Sequence, residues 1–405
     1  MNIIVVNDYA SINGGADAVA IESALALAQA GESVIFFCAV GPADERLSQK
    51  NISVICMDQK DILSDGAGSA AMFGIWNRRA YLSMMRLLGS VDKKDAIVHF
   101  HSFTKALSSS VIRAAADSGF KRVLTMHDYF VACPNGGFYD YNKAEICGLR
   151  AMSPSCIGTN CDKRKYAHKL WRCTRQAAQI RKGMVPSRVD AFISVSDYSE
   201  RLLRPYLPET AAVYRVRNPI SVRNEGPEKV SERGLFSFAG RLSMEKGPHL
   251  LARAASATGV EAAFIGDGPM RGQLEEIMPG AVFSGWLRQE NVVRLMRESR
   301  ALVFPSLWHE TLGLTVLQAK ALGIPAIVSS GCAASELVEH GEDGLIFEKG
   351  SVEDLTEKIK IMCSNSAARR MGKTAHRRYW DEPWTLENHA QELMRVYRDI
   401  QGDGE

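Results

Sequence analysis

The chain contains no run of 18 apolar residues, so no segment is expected to cross a bilayer as a helix. It contains no Asp-x-Asp pair, the carboxylate arrangement that would seat a divalent cation against phosphate oxygens. Its nine cysteines include no Cys-x2-Cys spacing, which removes the strongest zinc signature. Internal repeats and low-complexity tracts are also missing, and with them any repeat architecture. Nor is there an overall charge excess: 49 Lys and Arg stand against 46 Asp and Glu, a net of +3. A nucleic-acid partner is therefore not expected, and any basic surface must be local. The apolar start Met1–Val6 meets Asp8 before a signal core could form, so it reads as a strand. With no leader and an odd thiol count, reduced cysteines and a soluble cytoplasmic protein are expected.

What is there is alternation. At 405 residues and 46% hydrophobic, the chain can bury two ordinary cores. Short apolar strands are predicted at Ile3–Val6, Val34–Cys38, Ile52–Cys56, Ala96–Phe100, Val123–Met126 and Ala191–Val195. A second series follows at Phe236–Ala239, Ala262–Ile265, Val282–Phe283, Leu302–Phe304 and Ala326–Val328. Helical spacing separates them. Val19, Ala20, Ser23, Ala24 and Leu27 share one face of Ala16–Ala30, and Gly31 sits at its stop. Two α/β units, each on a parallel sheet, are expected. Their boundary is placed near Asn218-Pro219, ahead of the polar stretch Ser221–Arg233. The domains are thus 1–219, with a cysteine-containing insertion at 133–173, then 220–375, then a closing helix within 376–405. Asp61–Gly74, rich in Gly, Ala and Ser, reads as a loop.

Two segments carry the chemistry. Ala239–Gly247 (A-G-R-L-S-M-E-K-G) follows one strand and brings Arg241 and Lys246. Phe304–Ala319 (F-P-S-L-W-H-E-T-L-G-L-T-V-L-Q-A) follows another, and Gly313 opens a helix. Ligands of open α/β sheets bind beyond the carboxyl ends of the strands. Gly240–Gly247, Gly266–Pro269, Gly285 and Ser306–Gly313 all fall there. Two cations and a helix N-terminus, worth about half a positive charge, suit a diphosphate. Singly, each cation reads equally as a solvated loop charge, and Glu310 as a first-turn carboxylate on a helix dipole. In combination they point to a nucleotide-sugar site.

These motifs resemble those of GT-B glycosyltransferases of family 4, the glycosyl transferases group 1. The resemblance covers essentially the whole length. It is most specific where A-G-R-L-S-M-E-K-G, Gly266–Pro269 (G-D-G-P), Phe283–Trp286 (F-S-G-W) and F-P-S-x4-T-L-G-L occur in family order. In the first half, Asn13-Gly14-Gly15 matches the family's glycine loop, and Met126-His127-Asp128 a histidine beside the donor sugar. The resemblance implies two Rossmann-like domains facing across a cleft and retaining transfer of a sugar from a nucleotide-diphosphate donor. The acceptor is implied to be a hydroxyl of a glycan or lipid-linked molecule, in cell-envelope polysaccharide or glycolipid synthesis. No cofactor is required for such catalysis. The implied catalytic residues are Glu310, on the sugar hydroxyls, Arg241 and Lys246, on the diphosphate, and His127. The implied donor-binding residues are Gly14, Gly15, Gly240, Gly268, Thr311, Leu312, Gly313, Leu314 and Gln318. Gln318 departs from the family, whose second glutamate usually accepts from the ribose; the amide keeps one acceptor and loses the charge. That departure leaves open a non-catalytic nucleotide-sugar-binding protein, and the two-domain shape leaves open a sugar-nucleotide epimerase.

Two features stand apart from that site. Between Lys163 and Arg188 lie nine Lys and Arg and no Asp or Glu. Tyr166, Leu170, Cys173, Ala177, Ile180 and Met184 follow helical spacing there, which predicts an amphipathic helix with a cationic face. An anionic membrane surface suits it, putting the protein on the inner face of the cell membrane; a packed helix with a solvated outer face reads equally. Cys133, Cys147, Cys156, Cys161 and Cys173 cluster nearby in a loop-rich insertion. They are candidate ligands of a structural zinc or iron–sulfur centre, with Cys173 alternatively plain core. Cys38 and Cys56 read as buried small hydrophobes. His99 and His101 either line an acceptor site or are satisfied within the structure.

Overall fold

The apolar runs become parallel strands. The computed structural model describes residues 1–59 and 69–402, and the chain divides into two units. The first comprises Met1–Phe138, Gly148–Pro219 and the chain from Trp384 on. Its strands are β1 (Asn2–Tyr9), β2 (Ser33–Val40), β3 (Ile52–Cys56), β4 (Ala96–Phe100) and β5 (Lys121–Thr125). After a hairpin of β6 (Tyr139–Asp140) and β7 (Glu145–Ile146) come β8 (Ala191–Ser194) and β9 (Ala212–Arg215). The seven-stranded order is β3-β2-β1-β4-β5-β8-β9, every pairing parallel. Because side chains alternate along a strand, β1 feeds both faces. Ile4 and Val6 join the helices Arg78–Leu88 and Ser110–Asp117, while Ile3 and Val5 join Gly15–Gln29 and Leu386–Gln401. Strand order reverses between β1 and β4, so the loops after Tyr9 and Phe100 open the crevice expected of such a sheet.

The second unit comprises Ile220–Pro383 with the hairpin segment Tyr139–Cys147. Its strands are β10 (Leu235–Ala239), β11 (Ala262–Ile265), β12 (Val282–Phe283), β13 (Ser299–Phe304), β14 (Ala326–Ser329) and β15 (Gly344–Phe347). The order is β12-β11-β10-β13-β14-β15, again all parallel. Phe236, Phe264, Leu302 and Ile327 are fully buried in one core shared with the helices Pro248–Thr258, Leu314–Ala321 and Val352–Cys363. Here the order reverses between β10 and β13. The two segments singled out in the sequence are the loops that leave these two strands.

Four expectations are corrected. The insertion 133–173 is not wholly part of the first unit: Tyr139–Cys147 groups with the second, where the Tyr139 ring is buried and meets Tyr141 edge-on at 5.2 Å. The closing helix is present as Leu386–Gln401, but the bound at 376 falls inside another helix, because Pro383 lacks an N–H and pushes Glu382 out of helical conformation. The helix Asn365–Asp381 ends there, and Leu386–Gln401 begins anew under a Thr385 cap. Of the loop expected at Asp61–Gly74, residues 61–68 lie outside those described, and Ser69–Ile75 form a helix.

The fourth concerns the basic helix, Tyr166–Arg181, whose buried side is rotated away from the predicted stripe, of which only Cys173 is buried. It buries Lys169, Cys173, Arg175, Gln176 and Gln179, and exposes Tyr166, Leu170 and Ile180. The cause is the irregular segment Phe130–Pro134, whose carbonyls need donors. Gln179 donates to Phe130 O at 2.9 Å, Gln176 to Val131 O at 3.0 Å and Arg175 to Pro134 O at 3.0 Å.

Candidate functional site

In the second unit the two loops are stitched together by the backbone. The carbonyl of Glu245 accepts from Leu307 N at 2.9 Å and Trp308 N at 3.3 Å. Gly247 makes the approach possible: its φ is +66°, and an added Cβ would stand 2.1 Å from Pro305 O. Gly313 is held likewise, with φ +131° and an added Cβ 2.9 Å from that of Ala334. It begins the helix Leu314–Ala321, which no side chain caps.

The centre of the arrangement is Glu310, 7% exposed. Its Oε1 accepts from Lys246 Nζ at 2.6 Å and from Ser306 Oγ at 2.7 Å. The Lys246 ammonium also lies 5.0 Å from the centroid of the Trp308 ring. Lys246 is thus already neutralised, whereas Arg241, exposed at the end of β10, has no ion pair among the described residues. Around these groups stand polar atoms that are buried and lack a hydrogen-bond partner: Ser243 Oγ, Trp308 Nε1, Thr315 Oγ1 and Gln318 Oε1. Thr315 and Gln318 are three apart on one helix and share a face. Orphaned buried polar groups each cost about 1–3 kcal/mol, so four on the two loops and the helix that follows them make this a candidate seat for a polar ligand.

Cys332, Lys349 and His309 complete the surroundings. Burial, then the nearby Glu310 charge, pushes the Cys332 thiol up to about 11. Burial lowers Lys349 from its usual value, and burial with the Lys349 charge brings His309 down to about 4. His309 is therefore neutral at pH 7. Gly240 and Gly268 both have positive φ, at +154° and +159°, in the loops after β10 and β11. Thr311 and Leu312 lie between Glu310 and the helix start, Leu312 buried. Ser243, Ser306, Trp308 and Thr315 were missed in the sequence. All lie inside the quoted motifs, but no composition signal separates a hydroxyl aimed at a ligand from one in a turn.

The first unit holds the remaining predicted residues. Gly14 precedes the helix Gly15–Gln29 in extended conformation (φ 179°), and an added Cβ there would meet nothing within 4 Å. Open space, not backbone geometry, is what Gly14 provides. The first helical turn carries a buried carboxylate instead: Asp17 accepts from Asn7 Nδ2 at 2.9 Å. His127 Nε2 lies 2.9 Å from His101 Nδ1, the rings stacked at 5.1 Å. Burial brings His127 down to about 3, and burial with the neighbouring imidazoles holds His101 well below its usual value. The pair is neutral, sharing one proton along the contact, and His101 Nε2 is buried without a partner. His99 is satisfied on both nitrogens, by Tyr397 Oη and Thr125 Oγ1, each at 2.7 Å. Asp128, beside His127, is raised to about 6 by burial.

Among the described residues no three His, Cys, Asp or Glu side chains are placed to hold an ion. Cys133, Cys156, Cys161 and Cys173 are buried in the first unit, while Cys147 belongs to the hairpin of the second. The ammonium of Lys169 stands between Cys156 and Cys161, at 3.5 and 3.2 Å.

Residues 223–378 match the family model described as Glycosyl transferases group 1. Sulfoquinovosyl transferase SQD2 of Arabidopsis thaliana is 32% identical over 163 residues, 38% of this chain and 31% of that protein. A GDP-mannose-dependent alpha-mannosyltransferase of Corynebacterium glutamicum is 28% identical over 167 residues, 41% of this chain and 40% of its own. The match thus spans less than half the length of these relatives. Over nearly the whole chain the fold is similar to Anabaena Alr3699/HepE in complex with UDP-glucose. That structure gives a TM-score of 0.70 at 14% identity, with 98% of this chain and 100% of that one covered. Sucrose-phosphate synthase from Thermosynechococcus elongatus gives 0.70 at 16% identity, with 100% of both covered. The fold is of GT-B type, two Rossmann-like parallel-sheet units, and the matched family segment supports a group 1 glycosyltransferase.

Proposed function

We propose that the protein is a retaining hexosyltransferase that moves a sugar from a nucleoside-diphosphate donor to a hydroxyl of a glycan or lipid-linked acceptor, without a catalytic metal. The observation that carries this is the second unit's site: Lys246 held by buried Glu310, an Arg241 without an ion pair among the described residues, an uncapped helix start and four orphaned polar atoms. A donor diphosphate there takes the N–H groups of Gly313 and Leu314 and the charge of Arg241, and draws Lys246 from Glu310. Glu310, released, accepts from sugar hydroxyls. As the glycosidic C–O bond breaks, negative charge grows on the leaving diphosphate, and fixed cations stabilise that charge more than the ground state. The acceptor oxygen attacks from the same face, and its proton passes to the leaving phosphate.

The test is transfer itself. Purified protein with radiolabelled UDP-, GDP- or dTDP-sugars should release nucleoside diphosphate faster with a glycan or lipid-linked acceptor present, and label the acceptor in the α configuration for an α-linked donor. Tight nucleotide-sugar binding with no turnover would instead establish a binding protein. Acceptor-free conversion of the donor sugar would establish an epimerase.

The proposed setting is an anionic membrane surface. Tyr166, Leu170 and Ile180 are 38%, 41% and 42% exposed. The helix Ser69–Ile75 packs beside theirs and presents Met72 and Phe73, also exposed. Lys163, Arg164, Lys165, Arg181 and Lys182 are exposed on the same segment. Apolar side chains with flanking cations are what an interfacial helix presents to acidic lipid. Among the described residues no helix is long and apolar enough to cross a membrane.

A further inference from the structure

Lys169 is fully buried, an unusual place for an ammonium, and its neighbours are sulfurs. Its Nζ donates to Cys161 Sγ at 3.2 Å and to Cys156 Sγ at 3.5 Å. Cys161 Sγ also accepts from Asn135 Nδ2 at 3.0 Å. The nearby carboxylate, Asp162, is committed elsewhere, with Arg172 at 2.8 Å and Arg164 at 3.4 Å. A buried cation needs an anion. A sulfur that accepts from an ammonium and an amide is placed to be that anion, a thiolate.

We propose that Cys161 and Cys156, gathered on Lys169, are an oxidation-sensitive pair that closes to a disulfide when a hydroperoxide reaches it. The Cys161 thiolate attacks one peroxide oxygen and the O–O bond breaks. The departing hydroxide takes a proton from solvent to become water, leaving Cys161 as a sulfenic acid. The Cys156 sulfur then attacks the Cys161 sulfur, the S–O bond breaks, and hydroxide leaves with the Cys156 proton as a second water. Two thiols lose two electrons, and one peroxide is reduced to two waters. Lys169 holds the attacking sulfur anionic and loses its counter-charge once the disulfide forms. The bond would thereby loosen the packing of Tyr166–Arg181 on the segment Phe130–Pro134.

Hydrogen peroxide titration of the reduced full-length protein, read by alkylation and peptide mass mapping, tests this, with exposed Cys363 as the internal comparison. The expected result is a Cys156–Cys161 disulfide at about tenfold lower peroxide than Cys363 requires. Cys156→Ser should stop at a Cys161 sulfenic acid that dimedone traps. Lys169→Met, similar in volume, should slow oxidation of Cys161 with unchanged circular dichroism. Should that variant fail to fold, the Cys156→Ser arm decides. Oxidation of Cys363 first, persistence of both thiols, or one equivalent of zinc or iron on these cysteines in protein purified without air would overturn the proposal.

Discussion

At the scale of residues, the Lys246–Glu310 pair makes the two partners separable by experiment. Each neutralises the other, at 2.6 Å and with Glu310 buried. Removing the carboxylate frees the ammonium, so Glu310→Gln should bind nucleoside diphosphate as well as the parent or more tightly, while transfer falls. Removing the ammonium does the opposite: Lys246→Met should weaken nucleoside diphosphate by roughly 10–100-fold, the worth of one charge-assisted bond at about 1.5–3 kcal/mol. Calorimetric titration with UDP and GDP reads both. Equal losses of affinity in the two variants would remove Lys246 from the phosphate site. Arg241, with no ion pair among the described residues to break, should act later in the reaction. Arg241→Ala is expected to lower kcat by about 10²–10³, and near-parental turnover would exclude that role.

At the scale of elements, the helix Tyr166–Arg181 shows where pattern reading succeeds and where it stops. Its existence and its charge were legible from spacing and composition. Its orientation was not, because buried Gln176, Gln179 and Arg175 answer carbonyls of Phe130–Pro134, and a partner about 40 residues away leaves no mark on local periodicity. The strands of both sheets were legible for the converse reason: a strand covered on both faces is mostly apolar, as in Ala96–Phe100, buried throughout, and in Ala301–Phe304. The donor loops were legible because glycines and cations recur there in fixed order; the Glu310–Lys246 contact emerges only once β10 and β13 lie side by side. The exposed apolar stripe carries its own prediction. Leu170→Glu with Ile180→Glu should abolish co-sedimentation with vesicles containing acidic phospholipid and leave the melting temperature unchanged. Binding that survives both changes, or that ignores lipid charge, would refute the membrane surface.

At the scale of the whole molecule, the first unit depends on imidazoles held neutral in its interior, and this fixes a direction of pH dependence. His389 joins the last helix to the rest of the unit, through Ser23 Oγ at 2.8 Å and Arg217 O at 2.7 Å. Burial lowers it to about 4. Between that value and the unfolded value near 6.5 the unfolded chain binds the extra proton, so stability from His389 is complete above about pH 6.5 and drains away towards pH 4. Other groups pull both ways. His127, His99 and His101 act in the same direction, whereas buried Asp8, Asp17 and Asp128 are raised and favour the folded state as pH falls. These contributions cancel when the parent is compared with His389→Gln at each pH. The variant should be the less stable at pH 7, and its deficit should shrink by about 2–3 kcal/mol on going to about pH 4.5, since each pH unit between the two values is worth about 1.4 kcal/mol. Pulse proteolysis in urea, read on peptides of the first unit, measures the two midpoints. A deficit that stays constant, or widens with acid, would mean that His389 is charged in the folded protein.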